Sequence, residues 1–220
     1  MHAVTFAAAL ALGLGASGAT AQTLDTEENR TLYALGIILG NNLQQLSLTA
    51  PELTLVEAGL RDAVLGSEPR VDMAVYGAQI QTLSNAREAA AAAAEKAAAL
   101  AFLDEMSQES GAERTASGLV YIAMTAGTGA SPTATDTVNV HYHGTLRDGT
   151  VFDSSVDRGE PISFSLSGVI PCWTEGVQMM QVGAKSKLVC PSNTAYGDRG
   201  QGAIPGGAAL VFEVELLAIE

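Results

Sequence analysis

A long segment without helix-breaking residues is the strongest constraint on this fold. Residues 78–110 contain neither glycine nor proline, and they include two alanine runs, Ala89–Ala94 and Ala97–Ala99. Because alanine has the highest helix propensity, the sequence predicts one continuous helix over about 72–110. At 1.5 Å per residue it would extend roughly 50 Å, more than a domain of this size can bury on itself. We therefore predict a helix that projects from a body; the alternative is a low-complexity spacer, because an alanine face buries little area.

Two shorter helices are predicted upstream of this segment. Five leucines recur at steps of three or four residues and would form one apolar stripe on the first helix: Leu32, Leu35, Leu39, Leu43 and Leu46. The second helix is expected to run from Pro51, which suits a first turn, to a cap at Gly66. Since both apolar stripes need cover, we expect pairing with a second copy of the chain. Residues 22–111 are thus predicted to be a helical dimerisation domain.

In the second half of the chain the hydrophobic period changes to two. Apolar and polar residues alternate over Val138–His143 and again over Leu210–Leu216, which is typical of half-buried strands. A third strand is predicted around Leu188, with Leu188 and Cys190 on one face and Lys187 and Val189 on the other. A short helix is indicated between strands by Trp173, Val177 and Met180. We predict an α+β domain over residues 112–220, an antiparallel sheet wrapped around one short helix.

Charge and hydropathy exclude some classes of partner. The chain has 11 lysines and arginines against 24 aspartates and glutamates, a net charge of -13. It therefore lacks the basic face that nucleic-acid binding needs. Outside the first two dozen residues no apolar run approaches the roughly 20 residues of a membrane-spanning helix. We expect neither a nucleic-acid partner nor a membrane span.

The usual motifs of catalytic and metal sites are missing from the sequence. There is no Gly-x-Ser-x-Gly motif, no phosphate-binding glycine loop and no metal-binding His/Cys spacing. His141 and His143 are the only histidines after His2, and nothing near them in sequence supplies a third ligand. We therefore predict no metal site and no cofactor.

The first residues have the features of an export signal. Residues 1–21 contain no acidic residue, lysine or arginine, and the run from Val4 to Leu14 is apolar. Ala19-Thr20-Ala21 fits the small-x-small pattern of a cleavage site. The usual positive charge near the start is missing, and the alternative is an alanine-rich N-terminal tail. We expect a signal peptide cleaved near Ala21 and a periplasmic protein.

Two cysteines are present, Cys172 and Cys190. In an exported chain an even pair allows one disulfide. Two thiols without a nearby partner would leave a tetrahedral metal ion half coordinated. A disulfide and two buried free thiols are therefore the two alternatives.

Five motifs follow one another in the second half of the chain. They are Val140-His-Tyr-His-Gly-Thr-Leu146, Asp148-Gly-Thr-Val-Phe-Asp-Ser-Ser155, Val169-Ile-Pro-Cys-Trp-Thr-Glu-Gly-Val177, Ala195-Tyr-Gly197 with Ile204-Pro205, and Ala209-Leu-Val-Phe-Glu-Val-Glu-Leu216. In this order they closely resemble the FKBP-type peptidyl-prolyl isomerases over about residues 116–220. More loosely, Tyr33-Ala-Leu-Gly-Ile37 and Gly40-Asn-Asn-Leu43 resemble the dimerisation domain of the bacterial branch that includes macrophage infectivity potentiators and periplasmic FKBP-type chaperones.

The resemblance implies a shallow apolar pocket between a five- or six-stranded antiparallel sheet and its helix. Trp173 would be the pocket floor. The walls would be Tyr142, Phe152, Phe164, Val169, Ile170 and Phe212. Asp153 and the Tyr196 hydroxyl would be the polar groups, and the backbone N–H of Ile204 would hold a substrate carbonyl. On this reading the catalytic set is Tyr142, Phe152, Asp153 and Tyr196.

The sequence departs from the family pattern at the pocket. Ile162 stands where many relatives have an aromatic residue in the pocket wall. This change would weaken the contact with the substrate or widen the range of residues accepted before proline. Cys172 replaces a glycine before the tryptophan, and the family geometry brings Cys190 near that helix start. This favours a disulfide that clamps the pocket floor.

The resemblance also implies function and partners. It predicts a peptidyl-prolyl cis-trans isomerase that acts on unfolded or partly folded exported polypeptides, serves as a folding chaperone and dimerises through its N-terminal helices. Macrolide inhibitors of the FKBP pocket are expected ligands. One alternative is a peptide-binding chaperone module with little catalysis; the intact polar and aromatic set counts against it, and Ile162 counts in its favour. A second alternative is that the N-terminal half is a scaffold that binds a specific partner.

Overall fold

The computed structural model describes residues 23–220, and the predicted signal segment at 1–21 lies outside them. The chain divides after Gln44 into two compact units. The described part of the first contains helix α1 (Glu27–Asn41). The second contains the helices α2 (Ala50–Val64), α3 (Met73–Met106), α4 (Ser155–Arg158) and α5 (Pro171–Gln178).

Helix α1 ends earlier than the leucine spacing predicts. Its last residue is Asn41. The side-chain amide of Asn42 donates a hydrogen bond to the carbonyl of Ile38 at 3.2 Å. An asparagine that bonds the preceding turn in this way competes with continuation of the helix. The predicted stripe is therefore wrong in its last two members, Leu43 and Leu46.

A charged contact joins α2 to α3. Arg87 Nη2 donates to Glu52 Oε1 at 2.5 Å, and Arg87 Nη1 donates to the carbonyl of Leu46 at 2.5 Å. The backbone N–H of Thr49 donates to the same carboxylate at 2.9 Å. The bond from Arg87, followed by those from Thr49, lowers the pKa of Glu52 to about 2. Glu52 therefore stays ionised well into the acid range.

The long helix is confirmed as α3, with 34 residues. It ends at Met106 rather than near Ser110. The hydroxyl of Ser107, the C-cap residue, donates to the carbonyl of Asp104 at 2.7 Å. A serine that bonds the preceding turn in this way favours the end of a helix. None of the helices within residues 23–220 has the length and hydropathy needed to cross a membrane.

The seven strands of the described region form one antiparallel sheet. Their order is β1-β2-β6-β7-β3-β4, and β5 pairs with β3. The strands are β1 (Ala112–Arg114), β2 (Val120–Thr125), β3 (Thr137–Leu146), β4 (Val151–Ser154), β5 (Ile162–Ser165), β6 (Lys185–Cys190) and β7 (Leu210–Ile219). This is the α+β architecture that the change of period predicts.

Both faces of the sheet are covered within the second unit. One face packs on α5 through a core in which Val140 and Leu188 are fully buried. The other face packs against the end of α3, where Leu103 lies in a second buried cluster with Val120 and Val189. Leu188 and Cys190 lie in the first cluster and Val189 lies in the second, so the predicted alternation of this strand is confirmed.

Candidate active site

Aromatic side chains from five elements meet beside α5. The indole ring of Trp173 packs edge-to-face against three rings, with centroids 5.4 Å from Tyr142, 5.6 Å from Phe164 and 5.3 Å from Phe212. Phe152 packs in the same manner on Phe212 at 5.5 Å. Edge-to-face contacts at these separations are a favoured arrangement of aromatic pairs. The rings therefore form a fixed frame around Trp173.

This frame lines a pocket of about 390 Å³. Trp173 is 4% exposed, as expected of a floor residue. Its indole N–H is buried and has no hydrogen-bond partner among residues 23–220. The remaining lining residues are Tyr142, Phe152, Asp153, Phe164, Gly168, Val169, Ile170, Tyr196, Gln201 and Phe212. The structure thus brings together all the predicted pocket residues except Ile162 and Ile204, and it adds Gly168 and Gln201.

Gly144 on β3 lets two of the rings lie against the strand. A Cβ atom at this position would be 2.8 Å from Phe152 Cζ and 3.1 Å from Phe212 Cε1. Any side chain there would have to displace these rings. The glycine of the motif around Tyr142 is therefore a packing requirement of the pocket wall.

One corner of the pocket is polar and charged. The hydroxyl of Tyr142 and the guanidinium of Arg158 both donate to the carboxylate of Asp153. Arg158 Nη2 also donates to the Tyr142 hydroxyl at 3.1 Å. Sequence reasoning missed Arg158, since its only signal was a lone charge shortly after the Phe-Asp motif. The three side chains close a small network in which Asp153 accepts from two donors.

The network sets the protonation of its members. Partial burial alone would raise the pKa of Asp153, but the bonds from Tyr142 and Arg158 outweigh burial and hold that pKa below its ordinary value. Burial, followed by the bond to Asp153, raises the pKa of Tyr142. At neutral pH the corner thus contains an ionised carboxylate, a neutral phenol and a guanidinium. Asp153 is an acceptor here and has no proton to donate.

The backbone donor assigned to Ile204 needs correction. Its N–H donates to the carbonyl of Gln201 at 2.9 Å, and the Gln201 N–H returns a bond at 3.0 Å. This mutual pairing uses the donor that was predicted to hold a substrate carbonyl. Ile170 lines the pocket instead, and its N–H has no hydrogen-bond partner among residues 23–220. Ile162 shares a face of β5 with Phe164 but is not among the residues that line the cavity.

Comparison with known proteins decides the family. Residues 129–217 match the family model described as FKBP-type peptidyl-prolyl cis-trans isomerase, and residues 28–122 match the domain amino terminal to it. An FKBP-type peptidyl-prolyl cis-trans isomerase of Aeromonas hydrophila, FkpA, is 43% identical over 206 residues, which are 88% of this chain and 76% of the relative. The chain belongs to the FKBP-type peptidyl-prolyl cis-trans isomerases.

Two further relatives support this assignment. The FKBP-type 22 kDa peptidyl-prolyl cis-trans isomerase of Escherichia coli K12 is 41% identical and aligns with 91% of this chain and 99% of its own. The crystal structure of FkpA from Escherichia coli superposes with a TM-score of 0.71 at 36% identity, covering 90% of this chain and 99% of that one. The predicted fold class, family and enzyme class are confirmed.

In this isomerase the structure joins Cys172 to Cys190 by a disulfide. Both residues are fully buried. Cys172 lies in the first turn of α5, directly before Trp173, and Cys190 is the last residue of β6. The bond therefore ties the helix that carries the pocket floor to the sheet. Neither cysteine is free, and residues 23–220 contain no other.

The two histidines lie on the polar face of β3, away from the pocket. His141 Nδ1 lies 3.1 Å from Ser155 Oγ, and His143 Nδ1 lies 2.9 Å from Ser154 Oγ. Buried Tyr142 stands between them and faces the aromatic frame. Within the described residues, no group of three or more histidine, cysteine, aspartate or glutamate side chains is arranged to hold a metal ion.

We expect kcat/KM of the isomerase for a short X-Pro peptide to be nearly constant from about pH 5 to pH 8. The lowered pKa of Asp153 keeps its carboxylate ionised throughout this window. The stabilisation from its network is present above the unfolded-state pKa of about 3.9 and is lost as pH falls through the lower folded-state pKa. The measurement is the rate of cis-to-trans relaxation across the pH series.

An Asp153→Asn variant is the control for this profile. It removes the charge but keeps an acceptor of the same shape, so activity should drop at every pH without a change in profile. If kcat/KM of the wild type falls at one end of this pH range and that of Asp153→Asn does not, Asp153 transfers a proton. That result would contradict the assigned role.

Proposed function

We propose that the chain catalyses rotation about X-Pro bonds in the pocket above Trp173. The observation that supports this most directly is an apolar aromatic frame with a single charged corner. Rotation breaks no covalent bond, so the reaction needs neither a nucleophile nor a proton shuttle. Its barrier of about 18–20 kcal/mol comes from amide resonance. A site that disfavours the planar amide relative to the twisted amide is sufficient to catalyse the rotation.

The low polarity of the pocket favours the twisted amide over the planar one. The planar amide carries partial charges on its oxygen and nitrogen, and this charge separation decreases as the bond twists. An apolar pocket therefore destabilises the planar form relative to the twisted form. Removing about 7 kcal/mol from the barrier would accelerate rotation about 10⁵-fold. Only interactions that favour the twisted state contribute to this rate.

We assign roles to individual residues on the basis of their positions. Trp173 receives the proline ring, and the surrounding rings exclude water. The unpartnered N–H of Ile170 takes the substrate carbonyl, the role first assigned to Ile204. Tyr196 adds a hydroxyl at the rim. Asp153 fixes Tyr142 and Arg158 in place rather than exchanging protons.

Export and chaperone activity are the next part of the proposal. We propose that residues 1–21 direct the chain to the periplasm, that residues 22–111 act as a helical dimerisation and chaperone domain, and that residues 112–220 form the isomerase domain. The signal pattern and the match of residues 28–122 to the FKBP amino-terminal domain support this division. The substrates would be unfolded or partly folded exported chains, whose uncatalysed X-Pro isomerisation takes tens of seconds.

Exposed apolar residues support dimerisation. In α1, Leu32, Leu35 and Ile38 are 60%, 52% and 60% exposed, and the helix has no buried residue. In α3, Met73 and Ile80 are both 56% exposed. Apolar patches of this kind mark interaction surfaces in soluble proteins. We propose that a second copy of the chain covers them, which sedimentation velocity of the full chain would test.

The alternative is a binding module with little catalysis. Ile162, in place of an aromatic wall, is the residue in its favour, and the intact set of Tyr142, Phe152, Asp153, Trp173 and Tyr196 around the pocket counts against it. The deciding experiment measures cis-to-trans relaxation of a short X-Pro peptide with increasing concentrations of the full chain. We expect a rate that rises in proportion to enzyme concentration. No acceleration, together with suppressed aggregation of an unfolded protein, would overturn the proposal in favour of the binding module.

A further inference from the structure

The loop over residues 197–207 contributes to one wall of the pocket. Gln201 lies within this loop and Tyr196 directly precedes it, and both line the pocket. Four of its glycines have positive φ. Its two ends are tied by a backbone bond from the Gly207 N–H to the Gly197 carbonyl at 2.9 Å, and Gln201 and Ile204 pair within it. Because glycine loses the most conformational freedom on ordering, contacts from outside the loop add support to these internal bonds.

Helix α3 supplies that support through direct backbone contact. A Cβ atom at Gly207 would lie 2.3 Å from the Ala92 carbonyl oxygen and 2.9 Å from the Lys96 backbone nitrogen. A Cβ atom at Gly206 would lie 2.2 Å from the carbonyl oxygen of Asp198 in the same loop and 3.1 Å from the Ala92 Cβ. The loop thus rests on the helix backbone, and Ala92 is only 9% exposed. At this point the alanine run of α3 is a docking surface rather than a spacer.

An ion pair fixes the other end of the loop to the same turn of α3. Lys96 Nζ lies 2.8 Å from Asp198 Oδ1. Asp198 follows Gly197, where the backbone bond closes the loop. Ala92 and Lys96 are four residues apart, so both lie on one face of the helix. The helix therefore holds the loop at its beginning and at its end.

We propose that Ala92 and Lys96 of α3 are positioning residues for the isomerase pocket. They act through the loop: by restricting residues 197–207 they hold Tyr196 and Gln201 where these line the pocket. The inference rests on the isomerase activity proposed above. The wall contacts the substrate in both its planar and its twisted form, so loosening it weakens both equally. Such a change raises KM and leaves kcat unchanged.

The test uses the full chain and a short X-Pro peptide. Lys96→Ala and Asp198→Ala should each raise KM about two- to fivefold, the range expected for one exposed ion pair. The double variant should be no worse than either single one, as for two partners of one contact. The reversed pair, Lys96→Asp with Asp198→Lys, should recover most of the loss. Ala92→Leu, which forces the loop off the helix, should raise KM about fivefold or more.

The matched control is the ion pair of Asp104 and Arg114. It also joins α3 to the sheet, with an N–O distance of 2.5 Å and similar exposure, but it touches no pocket residue. Arg114→Ala should leave KM and kcat within about twofold of wild type. An unchanged KM in Lys96→Ala and Asp198→Ala, or an equal rise in Arg114→Ala, would overturn the proposal.

A binding measurement separates failure of this inference from failure of the isomerase proposal. Trp173 is the only tryptophan of the chain, so its fluorescence reports peptide binding without any catalysis. The dissociation constant should rise in Lys96→Ala and Asp198→Ala by the same factor as KM. If the wild type binds the peptide but does not accelerate its isomerisation, the isomerase proposal fails. The effect of Lys96→Ala on the dissociation constant still decides the role of α3.

Discussion

Replacing Phe152 by alanine is expected to lower kcat/KM for a short X-Pro peptide about 100-fold. The Phe152 ring lines the pocket and packs edge-to-face on Phe212 at 5.5 Å. Without it, water reaches the bound amide and stabilises the planar form. A loss of about 2.7 kcal/mol of transition-state stabilisation corresponds to this factor. Cis-to-trans relaxation of the peptide measures the effect, with a circular dichroism spectrum to establish that the variant is folded.

Two further variants test why activity is lost in Phe152→Ala. Phe152→Leu restores apolar volume and should recover part of the activity, because exclusion of water matters more than the aromatic ring itself. Met124→Ala removes an exposed apolar side chain of β2, a strand that carries no pocket residue, so it should change kcat/KM less than twofold. A folded Phe152→Ala protein with more than half of wild-type activity would place the reaction outside this pocket.

Local patterns in the sequence were sufficient for the elements, whereas the predicted pocket came from the resemblance to the FKBP family. The alternation around Tyr142 predicts a strand with one buried face, and the structure has this strand as β3. The glycine- and proline-free segment predicts the long helix, which the structure has as α3. These features depend on residues close together in the chain. The order of the FKBP motifs then brought the distant pocket residues into one set.

Tertiary contacts account for what the sequence did not show. Val189 lies on the face of β6 opposite Leu188, and only the fold shows that the end of α3 buries it. The N–H of Ile204 is used by Gln201, a pairing that depends on the shape of one loop. Arg158 is one charge in a short turn, and only the fold places it against Asp153. Periodicity contains no information on contacts of this kind.

Removing the disulfide is expected to lower the free energy of unfolding by about 3 kcal/mol. Cys172 and Cys190 are 18 positions apart, and closing a loop of this length restricts the unfolded chain by about that amount. For a protein of this size the melting temperature should fall by about 6–12 °C. The measurement is thermal and urea unfolding of the Cys172→Ala/Cys190→Ala double variant against the oxidised wild type.

Reductant treatment distinguishes the disulfide from two buried thiols. Both cysteines are fully buried, so the folded protein should be reduced only as fast as it unfolds. Wild type that is unfolded, reduced and refolded in reductant should melt close to the double variant, because both lack the same constraint on the unfolded chain. Peptide affinity should fall along with stability, since Cys172 precedes the pocket floor Trp173. If the oxidised wild type and the double variant melt together, the disulfide adds no stability and the pocket floor is held by packing alone.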